Sequence, residues 1–99
     1  MSNSKDERDE EFWKMTDAFI KLANEQCDTS RNGKVSTTLL FAAARFNAFM
    51  FASMAENLEA FKKDRDMAVT YFSNQYHQAF IENLNDYEKN YSDYVGKKQ

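Results

Sequence analysis

The stretch VTYFSNQYHQAFIENLNDYEKNYSDY, residues 69–94, decides the fold class. Its apolar and aromatic positions are Val69, Phe72, Tyr76, Phe80, Leu84, Tyr87, Tyr91 and Tyr94, spaced 3, 4, 4, 4, 3, 4 and 3. Only a helix of 3.6 residues per turn puts them all on one face. The last part, 80-84-87-91-94, alternates four and three as a coiled-coil seam does. A long helix is predicted from about Arg65 to Tyr94. Gly96, Lys97 and Lys98 then supply the usual chemistry of a helix C-terminus.

Working back along the chain, a break is expected at Lys62-Lys63-Asp64-Arg65, with Asp64 as N-cap. Before it, a second helix is predicted over residues 37–61, opened by Ser36 as N-cap. On a wheel, Phe49, Phe46, Leu39, Met50, Met54, Leu40, Leu58 and Phe51 span an apolar arc of about 200°. An ordinary surface helix needs a stripe little more than about 100° wide. This helix therefore wants partners on two sides. The segment 28–34 is read as a loop, because Asn32-Gly33 is a strong turn dipeptide. A first helix is expected over 9–27, with Phe12, Met15, Phe19, Leu22, Ala23 and Gln26 on one face. Asp9, Glu10 and Glu11 favour its N-terminal dipole. Residues 1–8 read as a disordered acidic tail, and 9–95 as one helical domain.

Composition agrees. The chain has 99 residues, no proline and two glycines, so the usual punctuation of β-rich and loop-rich folds is missing. Three valines are few for strands. The expected architecture is all-α, a three-helix antiparallel arrangement with a long third helix. The short connection between helices two and three suggests the antiparallel step.

The formal charge is −3 and the pI near 5.1. That balance argues against non-specific binding to nucleic acid or to an anionic membrane. The basic residues Arg31, Lys34, Lys62, Lys63 and Arg65 fall at opposite ends of helix two and make no single patch. The most apolar stretch, Leu39 to Ala55, has seventeen residues and carries Arg45 and Asn47. A bilayer span needs about 20 apolar residues, and charge at its centre is costly. A buried helix of a water-soluble protein is the expectation, with no membrane partner. One cysteine, Cys27, excludes an internal disulfide. The polar N-terminus lacks the apolar core of a signal peptide. A cytoplasmic location is expected.

Self-association follows from the excess of apolar surface. Three helices of one chain can bury one seam, and the surplus on helix two would leave a patch monomers rarely keep. The third helix, about thirty residues and near 45 Å long, outreaches the first, nearer 29 Å. Its end overhangs, carrying three tyrosines, a residue type suited to interfaces. The expected assembly is a homodimer through Phe49, Met50, Phe51, Met54, Leu58, Tyr87, Tyr91 and Tyr94. A higher oligomer and a further protein partner stay open.

No chemistry stands out. The single histidine, His77, has no Glu-x-x-His setting, and no metal site is expected. Cys27 closes the first helix, where the dipole disfavours a thiolate. No phosphate loop, nucleophile elbow or paired-cysteine motif is present. The chain is expected to be no enzyme, with no catalytic residues and no cofactor. Arg45 and Asn47, inside Ala42-Ala43-Ala44-Arg45-Phe46-Asn47-Ala48-Phe49, are the two residues that resist a pure packing account. One reading is an anion or small-ligand site at a Phe/Met-lined helix junction, with Arg45 as the fork. The favoured reading puts Arg45 on a polar stripe and has Asn47 fix register.

Residues 17–26 (DAFIKLANEQ), 40–49 (LFAAARFNAF), 71–76 (YFSNQY) and 83–87 (NLNDY) carry a resemblance. With them the chain resembles a bacterial domain-of-unknown-function family, number 3144, over about residues 12–94. The Ala-Arg-Phe-Asn-Ala core is the most specific part. The resemblance implies a small helical bacterial protein and brings no activity, ligand or catalytic residue. The functional expectation is a helical protein acting through self-association and protein contacts. A small-ligand or anion binder near Arg45 and Asn47 is the alternative.

Overall fold

The computed structural model describes residues 8–95. The described residues are all-α, with three long helices and a closing turn: α1 (Glu10–Gln26), α2 (Asn32–Met54), α3 (Leu58–Lys89) and α4 (Tyr91–Tyr94). No strand occurs among them. Contacts divide the chain into two units, the first ending at Met50 and the second starting at Phe51.

In the first unit, Asp9 takes the extended backbone of an N-cap, and its Oδ1 accepts from the Phe12 N–H at 2.9 Å. That satisfies one of the donors a helix start leaves unpaired. Glu10 and Glu11 follow in the first turn. Two exposed i,i+4 ion pairs, Glu10–Lys14 at 3.7 Å and Lys21–Glu25 at 3.8 Å, lie along α1. Each is worth at most about 0.5 kcal/mol. Arg8 sits over the rings of Phe12 and Trp13, at 5.7 and 5.8 Å from their centroids. It therefore belongs with the helix start. The rest of the expected tail lies outside the described residues, as do Gly96, Lys97 and Lys98. The helix ends at Gln26, where Cys27 donates its N–H back to the Ala23 carbonyl at 3.1 Å.

Helix α2 starts at Asn32, five residues before the expected start at Thr37. The Asn32-Gly33 pair is the first turn of this helix, and no described residue has positive φ. A first-turn N–H has no partner within its own helix, so glycine there weakens no ladder bond. Ser36 is an interior residue and not the cap.

The second break also moves. It lies at residues 55–57, not at 62–65. Asn57 is the N-cap of α3, extended at φ −162 and ψ 178, with Oδ1 accepting from the Ala60 N–H at 2.9 Å. Glu59 adds an acid to the first turn. Lys62, Lys63, Asp64 and Arg65 are interior to α3, so Asp64 caps nothing. Within the second unit, the Phe51 and Phe61 rings meet across the break with centroids 5.3 Å apart. At 32 residues α3 is about 48 Å long. It stops at Lys89, so the expected unbroken helix to Tyr94 is interrupted at Asn90.

None of the described residues is buried in either unit. The expectation of a buried second helix is not met within the chain. At 23 residues, with a mean hydropathy of 1.3 over its best window, α2 is long and apolar enough to cross a membrane by length and composition. The seventeen-residue count from the sequence was short because the helix begins before the apolar run does.

Candidate functional site

The feature that distinguishes this chain is an uncovered apolar surface. On α2 it is built from Leu39, Leu40, Phe41, Phe46, Phe49, Met50 and Met54. Their exposures run from 40% at Leu39 and Met50 to 77% at Met54. Phe46 and Phe49 touch one another loosely, with ring centroids 6.5 Å apart. Such contacts within one helix remove little apolar area from water, because each ring keeps its outer face wet. Phe51 is half-exposed and Leu58, first residue of α3, is exposed.

Along α3 and on into α4 the main apolar file is the periodic one, with Met67, Tyr71 and Ile81 exposed outside it. Val69, Tyr76, Phe80, Leu84, Tyr87, Tyr91 and Tyr94 are exposed, and Phe72 is intermediate. Tyr76 stacks on Phe80 at 5.5 Å and 25°, as i,i+4 neighbours can. Tyr87 and Tyr94 lie closer still, centroids 4.5 Å apart, across the break at Asn90. The Tyr94 hydroxyl donates to Oδ2 of Asp86 at 3.0 Å. That bond, to an acceptor that prefers the protonated phenol, holds Tyr94 above the ordinary tyrosine range.

Of the candidate interface residues, Phe49, Met50, Met54, Leu58, Tyr87, Tyr91 and Tyr94 are exposed and Phe51 is intermediate.

Arg45 is exposed and Asn47 is partly exposed, both on α2. Two residues apart on a helix, they point about 200° away from each other. On α2 alone the two side chains therefore do not face a common point. The groove that the first unit does present is shallow and lies along α1, lined by Asp17, Ile20, Lys21, Asn24, Glu25 and Asp28. Its charges are of both signs, and it includes neither Arg45 nor Asn47. Among the described residues no cluster of three or more His, Cys, Asp or Glu side chains could hold a metal ion. His77 is exposed and Cys27 is half-exposed at the end of α1.

Sequence reasoning missed the polar cluster Asp86, Asn90 and Tyr94. The i,i+4,i+8 spacing of an acid, an amide and a phenol was the available signal. It was masked because Tyr94 also fits the apolar periodicity.

No curated protein matches the chain. Among solved structures it is similar to the NMR structure of a protein from Shewanella sp, with 26% sequence identity and a TM-score of 0.74. The likeness covers 92% of this chain and 97% of that one. The family described as "Protein of unknown function (DUF3144)" matches residues 12–88, which includes α2 and nearly all of α1 and α3. The chain belongs to that family.

Proposed function

We propose that this protein works as a self-associating helical protein, a homodimer joined through α2 and the tyrosine end of α3, acting through protein contacts. The observation that carries this reading is the absence of any buried side chain among the described residues, in a chain of 42% hydrophobic composition. Isolated helices of 17, 23 and 32 residues are marginal in water unless an apolar face is packed. The seven large apolar side chains of α2 hold on the order of 800 Å² of exposed area, taking about 200 Å² for each whole side chain. A standard interface takes about that much from each partner.

A second copy is the occupant that the charge pattern favours. Residues 1–30 sum to −4 and residues 31–65 to +3. Two copies bring an acidic and a basic segment each, so the chain is complementary to itself. A twofold arrangement is the commonest closed solution. We place this assembly in water and in the cytoplasm. A bilayer is the competing cover for α2, and Arg45 opposes it. Arg45 sits two residues from the middle of α2, where an arginine costs about 2.5–3.5 kcal/mol on insertion scales.

Light scattering coupled to size exclusion, across a hundredfold range of concentration, tests the reading. The expected result is a detergent-free species at twice the 11.6 kDa chain mass. A single-chain mass throughout overturns it. A chain that stays in solution only with detergent overturns the placement in water and supports the bilayer.

A further inference from the structure

The seam 80-84-87-91-94 crosses Asn90 without changing period, yet the helix stops there. The Asn90 backbone leaves the helical region at φ −115 and ψ 29. The ladder resumes only when the Asp93 and Tyr94 N–H groups donate to the Asn90 carbonyl, at 3.0 and 3.1 Å. No glycine or proline enforces this break, and no described residue there has positive φ. A continuous helix through Asn90 is therefore sterically open to this sequence.

Side chains hold the break, and they converge on one carboxylate. Asp86 Oδ1 accepts from Asn90 Nδ2 at 3.0 Å. Asp86 Oδ2 accepts from the Tyr94 hydroxyl at 3.0 Å. Asn90 Nδ2 also reaches the Asp86 backbone carbonyl, at 3.2 Å. In a straight helix, residues seven apart are about 10 Å apart along the axis. The 4.5 Å between the Tyr87 and Tyr94 rings requires the chain to shorten at Asn90. The same two rings cannot both pair with each other and stand in file as a seam. Asp86, Tyr87 and Tyr94 are exposed and Asn90 is intermediate, so water competes for these bonds and the arrangement is easily opened.

We propose that Asp86, Asn90 and Tyr94 form a latch that keeps the last turn folded against the end of α3 in the lone chain. Opening the latch lets α3 run on to Tyr94 and adds Tyr91 and Tyr94 to the seam that a second copy covers. The inference rests on the self-association reading above. Association then has to open the latch, and a chain already unlatched binds its partner more tightly, as preorganised partners do.

The test uses the full chain with Tyr94→Phe, which keeps the ring and deletes the hydroxyl, and separately with Asp86→Ala. Two quantities are read: backbone carbon chemical shifts over residues 88–95, and the dimer dissociation constant from sedimentation equilibrium. The expected result in both variants is helical shifts through Asn90 and a dissociation constant lowered about two- to tenfold, the scale of one net hydrogen bond. A dimer whose dissociation constant is unchanged or raised in both variants overturns the latch and leaves self-association standing. Shifts that still break at Asn90 in both variants do the same. A monomer at every concentration overturns the latch together with the reading it rests on.

Discussion

Helices α2 and α3 both leave their apolar side chains in solvent, but they do so differently. On α2 the apolar residues wrap about 200° of the circumference, and they are phenylalanine, leucine, methionine and alanine. Along α3 and α4 the main file is narrow, with Met67, Tyr71 and Ile81 outside it, and from Tyr76 onward four of its six members carry a hydroxyl. A ring with a wet hydroxyl tolerates solvent on one side, so α3 can stand at an edge. The side chains of α2 have no polar end. The comparison assigns α2 the central place in any assembly and α3 a peripheral one that can be remodelled.

That assignment can be broken most directly on α2. Phe49→Asp puts a charge into the face that the proposed dimer covers and is expected to cost at least about 3 kcal/mol of association, the scale of a buried phenylalanine lost. Light scattering should show the single-chain mass, and circular dichroism should show reduced helicity. A variant that stays paired removes α2 from the interface. Tyr91→Ala sharpens the contrast. At a peripheral seam it should weaken the pair by about 1–2 kcal/mol in sedimentation equilibrium, leaving a dimer at higher concentration. An effect as large as that of Phe49→Asp would erase the distinction.

The connection between the two helices gives a smaller effect. Asn57→Ala deletes the cap whose Oδ1 takes the Ala60 N–H. The loss is expected near 1 kcal/mol in urea unfolding, with the dimer retained. Arg45→Ala should change stability by less than about 1 kcal/mol, because the side chain is exposed and no ion pair to it occurs among the described residues. A loss of several kcal/mol would mean that Arg45 is engaged in the assembly.

The mildest test is spectroscopic. Tyr94 should ionise above the ordinary tyrosine range in an ultraviolet titration, because the hydrogen bond to Asp86 favours its neutral form. The sign follows from proton linkage. A tyrosine whose folded pKa is raised contributes its stabilisation in full below the unfolded value, near pH 10. The contribution is lost as pH rises through the higher folded value. The Tyr94 hydroxyl therefore keeps the proton it donates to Asp86 at neutral pH and gives it up only in alkali. Tyr94→Phe should remove the phenol that titrates above the ordinary range.

Much of this architecture can be read from residue spacing. The start of α1 is legible because Asp9, two following acids and the Phe12-Met15-Phe19 spacing agree on it. The course of α3 is legible because its file keeps period over eight positions. The boundaries of α2 are not, for a physical reason in each case. Asn32-Gly33 has the chemistry of a turn, but at a helix start glycine's cost is small and the rest of α2 carries it along. Lys62-Lys63-Asp64-Arg65 looks like a loop because it is charged, yet on a helix a charged run is simply a wet turn. Asn57, with Glu59 behind it, carried the real signal. Arg45 and Asn47 are i,i+2 neighbours on α2 and so face apart on that helix. The latch at Asp86 could not be found by periodicity, because Tyr94 satisfies the seam and the latch equally well.

The lack of any buried side chain among the described residues also bears on how such a chain comes to hold its shape. A protein with an interior can collapse alone, and its refolding half-time does not depend on how much of it is present. On the proposed reading, this chain acquires its interior only by meeting another copy. Its refolding should then be second order, with a half-time that shortens in proportion as concentration rises, and a newly made copy would stay unfinished until a neighbour arrived.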